Sequence, residues 1–213
     1  MIRVDKSTNT PKSLLTTKSY NGHDVQRQLL HDQSRKCYIC ENYVEPNFHI
    51  EHINSKANKQ DWNNLFLSCG YCNDKKLGMY DDILSPATNN IEDIIEQRLD
   101  TYLKEASFFS NFTSQSVEKT IKLLKCVYNG KKQYGNIRSP HEDLFYDKIE
   151  LLYNDFMRKV INYRLNPSVE KEAIIREDLA IDKELLGFKY WIIKDDSNLL
   201  KVFANDIIWN KTV

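Results

Sequence analysis

No stretch of the 213-residue sequence approaches the ~18 consecutive apolar residues of a membrane span, so a helical membrane protein is not expected. The opening residues, MIRVDKSTNTPKSLL, lack the uninterrupted apolar core that a signal peptide needs, and the chain is expected in the cytoplasm. Neither sign of charge is in excess. Thirty lysines and arginines balance thirty aspartates and glutamates, so no long-range field draws the molecule toward nucleic acid or an anionic membrane. Contacts with DNA, if the chain makes them, would be local or shared with a partner. Repeats and low-complexity tracts are also missing. A secreted disulfide scaffold is disfavoured by an odd number of cysteines, five, of which four fall into two C-x-x-C pairs. That pattern favours a metal. What is present is 41% apolar residues, enough for a packed core in one large domain or two small ones.

Three regions follow along the chain. Residues 1–34 read as an N-terminal arm, polar and irregular to about residue 20, followed by a short helix over residues 24–34. Residues 35–80 carry every candidate ligand, along with two apolar runs of strand length, FHIEHI and NLFLSC. Residues 81–213 read as helical. Asn90 is placed to cap a helix with Ile91, Ile94, Ile95 and Leu99 on one face, and Ser116 to begin another lined by Val117, Ile121, Leu124 and Tyr128. Ser139-Pro140-His141-Glu142 is a capping box with proline at the first helical position, predicting a long amphipathic helix that Asn166-Pro167 stops. The aromatic end, containing Tyr190, Trp191 and Trp209, predicts two short packed elements.

Cys37-Tyr38-Ile39-Cys40 and Cys69-Gly70-Tyr71-Cys72 each offer two thiolates at the spacing of a tight knuckle. Two knuckles complete the closed tetrahedral sulfur set that Zn2+ prefers, so the expected ion is structural. A redox pair or plain core cysteines would explain one C-x-x-C, but two matched pairs favour zinc. Cys126 stands alone in a helical pattern and reads as a small buried residue. The 28 residues between the knuckles exceed a usual zinc-ribbon gap, so the ion would staple the ends of an insertion with work of its own.

That insertion holds Phe48-His49-Ile50-Glu51-His52-Ile53, then Asp61-Trp62-Asn63-Asn64-Leu65, and Asn73-Asp74-Lys75-Lys76 directly after the last cysteine. A strand, a polar loop, a second strand and a short helix from about Cys72 would gather Glu51, His52 and Asn73 around one point. A neutral imidazole, an oxygen-ligated metal and nearby cations suit phosphodiester hydrolysis.

With these residues in order, the sequence resembles the HNH nuclease family in its zinc-knuckled ββα-metal form. The fold class implied is α+β, mainly α: a small ββα core stapled by a four-cysteine zinc site and followed by a helical C-terminal domain. The resemblance implies that His52 is the general base, Glu51 and Asn73 ligate a catalytic Mg2+ or Mn2+, and Asn64 pins the loop that orients the base. Lys75 and Lys76 would hold neighbouring phosphates, and His49 is either a support to the site or simply surface. Asn54-Ser55-Lys56 stands where the family commonly has a proline. A looser similarity, in the M-I-x-V-x-K start and the helical tail, is to the PtuB nuclease subunits of Septu and related retron anti-phage systems. It implies DNA as substrate and an ABC-like ATPase of the PtuA type as partner, docked on residues 81–213. Two other readings stay open: a non-catalytic four-cysteine module that binds nucleic acid or protein, and a stand-alone restriction or toxin nuclease. Neutral charge counts against the latter, because an autonomous DNA binder needs several phosphate contacts.

Overall fold

The computed structural model describes residues 1–44, 46–77 and 80–209, so the last four residues of the expected helical region lie outside it. Two short helices come first, α1 (Lys12–Thr16) and α2 (His23–Asp32). Val25 and Leu29, one turn apart on α2, are fully buried. Two strands follow, β1 (Phe48–His52) and β2 (Leu65–Cys69), paired antiparallel so that Glu51 lies opposite Phe66 and His49 opposite Ser68. Helix α3 (Gly70–Lys76) continues straight from β2. Its N-cap is Cys69, whose sulfur accepts from the Cys72 amide at 3.5 Å, and it stops where Leu77 turns left-handed with φ of 30°. The strands and helix expected between and after the knuckles are therefore present.

The rest of the chain is mostly helical but contains a hairpin. After the single turn α4 (Ile91–Ile94), strands β3 (Glu96–Asp100) and β4 (Glu105–Phe109) pair antiparallel. This corrects the expected helix running from Asn90 through Leu99. Gln97 and Leu99 are buried while Arg98 and Asp100 are exposed, an alternation of period two that Ala106 and Phe108 complete across the hairpin. Asn90 makes no side-chain cap. Helix α5 (Gln115–Asn129) starts at Ser114, two residues before the expected cap, and packs against β4. Helix α6 (Pro140–Leu165) follows the expected capping box and ends at Asn166, and α7 (Val169–Asp178), α8 (Leu186–Lys194) and α9 (Ser197–Phe203) complete the order. The aromatic end forms α8, α9 and a final 3-10 turn, with Tyr190 and Trp209 buried. Among the described residues no helix is long and apolar enough to cross a membrane.

Two side-chain amides take the place of missing strands. The Gln33 amide donates to the Leu67 carbonyl at 3.0 Å and accepts from the Leu67 amide at 2.8 Å, closing the outer edge of β2. Asn129 does the same for Ala106 on β4, with both bonds at 2.8 Å. Backbone groups buried at a sheet edge need such partners. The first residues are more embedded than an irregular arm. Met1, Ile2, Val4 and Leu14 are buried, the Met1 amine meets Glu41 at 2.5 Å and Gln97 at 2.9 Å, and Val4 bonds to Pro86. One apolar cluster runs from Met1 through Trp62, Phe66 and Leu67 to Tyr128, Tyr146 and Phe188. A second, built on Phe156, Ile175, Tyr190 and Phe203, fills the C-terminal helices.

Glu142 connects the two halves. Its carboxylate closes the capping box on the Ser139 amide at 2.9 Å, accepts from the Lys131 amide at 3.3 Å, and pairs with Lys75 of α3. Burial opposes its ionisation, but these partners win and lower its pKa to about 2. Because the folded pKa lies below the unfolded one of ~4.3, the contribution is complete above the unfolded value and is lost as pH falls toward 2. Thermal melts of wild type and Glu142→Gln are expected to differ most at neutral pH and to converge in that acid window. Ser139→Ala is expected to cost about 1 kcal/mol in denaturant unfolding through loss of the cap.

Candidate metal and catalytic site

The four sulfur atoms of Cys37, Cys40, Cys69 and Cys72 lie within 4.8 Å of one another. Cys37, Cys40 and Cys72 are buried and Cys69 is partly so. The first knuckle turns because the Cys37 amide bonds to the Asn42 carbonyl at 2.9 Å and the Glu41 amide to the Cys37 carbonyl at 2.9 Å, with Glu41 at a φ of 62°. The second is the junction of β2 and α3. Burial pushes the Cys40 and Cys72 thiols up, so holding all four sulfurs as thiolates this close would take a cation among them. The donor set fits one. A tetrahedron with metal–sulfur bonds of ~2.3 Å has sulfur–sulfur edges of ~3.8 Å, and Cys40 and Cys69 are 3.8 Å apart. Cys126, by contrast, is only partly buried on α5 and stands outside the cluster.

Glu51 and His52 close β1 with their side chains on opposite faces, as strand alternation requires. The His52 ring nitrogen Nε2 lies 3.1 Å from the Lys59 carbonyl. A carbonyl only accepts, so Nε2 carries the proton and a neutral ring leaves Nδ1 with a free lone pair. Tyr20 meets the imidazole edge-on at 5.0 Å. The loop after His52 is held by Asn64, which accepts from the Asn54 amide at 2.9 Å and donates to the Asn54 carbonyl at 3.0 Å, while the Ile53 amide bonds to the Asn64 carbonyl. Ser55 binds Asp81 through its amide and its hydroxyl, and the Asn54 side chain donates to Asp82. These side-chain bonds order the segment that lacks the proline common in the family it resembles.

Glu51 faces the interior. Its Oε1 pairs with the Lys76 ammonium at 2.7 Å, and its buried Oε2 has no hydrogen-bond partner among the described residues. Burial pushes the carboxyl up, against the pull of Lys76 and of the Ser68 and Tyr38 hydroxyls beside it. Lys76 also donates to the His52 carbonyl at 2.9 Å. Asn73 lies one turn before Lys76 and so shares the face of α3 that meets β1. Both lysines expected at substrate phosphates are engaged within the chain: Lys76 is buried on Glu51, and Lys75, partly exposed, pairs with Glu142. At the buried position of Lys76 a carboxylate satisfies the ammonium better than the little water that could reach it. His49 is exposed, its Nε2 standing over Gly70.

Residues 37–77 match the sequence profile of the HNH endonuclease family. The matched stretch runs from the first knuckle cysteine to the residue that ends α3, so it coincides with the ββα element, and it suggests a nuclease. No curated protein and no solved structure matches the chain. Tyr20, Tyr38 and Ser68 join the site although none was among the expected residues. Only Ser68 left a signal, since pairing β1 with β2 puts it on the Glu51 face.

Elemental analysis is expected to find one zinc-like ion per chain. Cys40→Ser is expected to lower both the metal content and the melting temperature, because binding to four thiolates is folding free energy. Equal melting with and without the ion would contradict this.

Proposed function

We propose that the chain is a metal-dependent endonuclease that hydrolyses phosphodiester bonds of DNA, with Zn2+ in the four-cysteine site and Mg2+ or Mn2+ at Glu51 and Asn73. The observation that supports this most is the state of His52: one ring nitrogen tied to the Lys59 carbonyl, the other free to accept a proton. The orphaned Oε2 of Glu51 is a hard, anionic oxygen of the kind these divalent ions take, and the amide of Asn73 supplies a neutral one. When bound, the ion supplies positive charge against the charge developing on the phosphate and leaving oxygen.

Nδ1 of His52 takes a proton from the attacking water as its oxygen bonds to phosphorus. The bond to the 3' oxygen breaks on the opposite side and that oxygen takes a proton from solvent water, leaving a 5'-phosphate and a 3'-hydroxyl. Asn64 holds the loop that fixes the height of the imidazole, and Tyr20 limits its rotation.

We further propose that the nuclease works as the effector subunit of an anti-phage complex, docked through residues 81–213 on an ABC-like ATPase. Zero net charge supports a borrowed DNA track. A surface for docking is available on α6, where Leu144, Leu151 and Leu165 are 70%, 71% and 79% exposed at multiples of seven residues.

With supercoiled plasmid, Mg2+ and the ATPase partner, His52→Ala is expected to cut ~10^2 to 10^4-fold more slowly while keeping its zinc, and Asn73→Ala to need more Mg2+. Full activity in His52→Ala would remove the assignment. Leu144→Lys with Leu151→Lys is expected to abolish co-elution with the ATPase on size exclusion; unchanged co-elution would place the interface elsewhere.

A further inference from the structure

Lys76 is 1% exposed, and lysine is almost never buried this deeply without a partner. Its partners are two oxygens, Oε1 of Glu51 at 2.7 Å and the His52 carbonyl at 2.9 Å. A buried ion pair of this kind adds little stability over apolar residues of similar size. Its placement is more informative than its energy. The ammonium is a compact cation held by hard oxygen donors, and one of them belongs to the carboxylate whose second oxygen, Oε2, is buried with no hydrogen-bond partner among the described residues. Lys76 is also fixed on the same helix face as Asn73, one turn away. The carboxylate therefore carries a resident monovalent cation on one oxygen and, on the other, an acceptor that has the Ser68 and Tyr38 hydroxyls beside it but no described group at hydrogen-bond geometry.

We propose that Lys76 is a positioning residue that acts as an internal counter-ion of Glu51, holding the carboxylate in place without a divalent ion and competing with one that binds. This rests on the nuclease reading of Glu51 as a metal ligand. Competition keeps divalent binding weak in the free chain, so substrate phosphate oxygens have to complete the coordination, and the metal is recruited together with the strand to be cut. A unit positive charge sharing one carboxylate with a divalent ion would weaken the ion's binding by at least about tenfold, even with water-like screening.

The test is Mn2+ binding to the zinc-loaded full chain at mildly alkaline pH, followed by the electron paramagnetic resonance of free Mn2+. Mn2+ does not displace zinc from thiolates. Lys76→Gln is expected to bind Mn2+ at least about tenfold more tightly than wild type, and the double variant E51Q/K76Q to lose that binding. Equal or weaker affinity in Lys76→Gln overturns the proposal, as does the absence of Mn2+ binding in both chains. If Lys76→Gln folds too poorly to titrate, folding yield is the measure: recovery in Mn2+ supports the proposal, and equal yields with and without Mn2+ overturn it. Plasmid cutting is scored separately. Cutting that persists with unchanged Mn2+ affinity removes the role of Lys76 and leaves the nuclease reading, whereas tighter Mn2+ binding in a chain that never cuts, even with its partner, does the reverse.

Discussion

Four sulfur atoms within 4.8 Å of one another set the geometry on which the candidate site depends. They join the loop before β1 to the junction of β2 and α3, two points that the sequence separates by 28 residues. Closing a loop of that length without a cross-link costs chain entropy that five-residue strands hardly offset. With the sulfurs gathered, Tyr38 is brought onto β2, its amide bonded to the Leu67 carbonyl at 3.0 Å and its ring against Phe66. The start of α3 is then fixed by Cys69 and Cys72, and the far end of the same helix delivers Lys76 to Glu51.

The helical remainder of the chain stabilises this small element rather than standing apart from it. Tyr128 of α5 donates to the Cys40 carbonyl at 3.2 Å, and Tyr71 of α3 donates to the Val127 carbonyl at 2.8 Å and stacks on Phe145 of α6. From the other side the first residues contribute Lys6, whose ammonium sits 3.5 Å over the Trp62 ring and bonds to the Leu65 carbonyl, and Trp62 in turn bonds to Ser7. The loop carrying Asn64 is thus pressed between the N-terminal segment and β2. A ββα unit alone would bury too little apolar surface to hold its side chains in one arrangement.

The parts legible in the sequence are those encoded by local chemistry. The two C-x-x-C pairs, the alternation of FHIEHI, the capping box at Ser139 and the Asn166-Pro167 stop each specify their own neighbourhood. The β3–β4 hairpin was not legible. Ile91, Ile94 and Ile95 fit a helix face, and the pairing that overrides it comes from Asn129, twenty residues beyond β4, closing the strand edge. The fates of Lys75 and Lys76 were hidden for the same reason. Two lysines after a metal motif read as phosphate ligands until Glu142 and Glu51 are seen to occupy them. The contact of Tyr20 with His52 crosses from a polar segment with no periodicity, and nothing local announces it.

Amide hydrogen exchange on zinc-loaded protein, before and after chelation, tests most directly whether the sulfur cluster organises the site. Protection is expected to fall at Tyr38, Ile53, Leu67 and Leu77, whose amides bond within the ββα element or to Gln33, while α7 to α9 keep theirs. Unchanged protection at Ile53 and Leu67 after the ion is removed would contradict it.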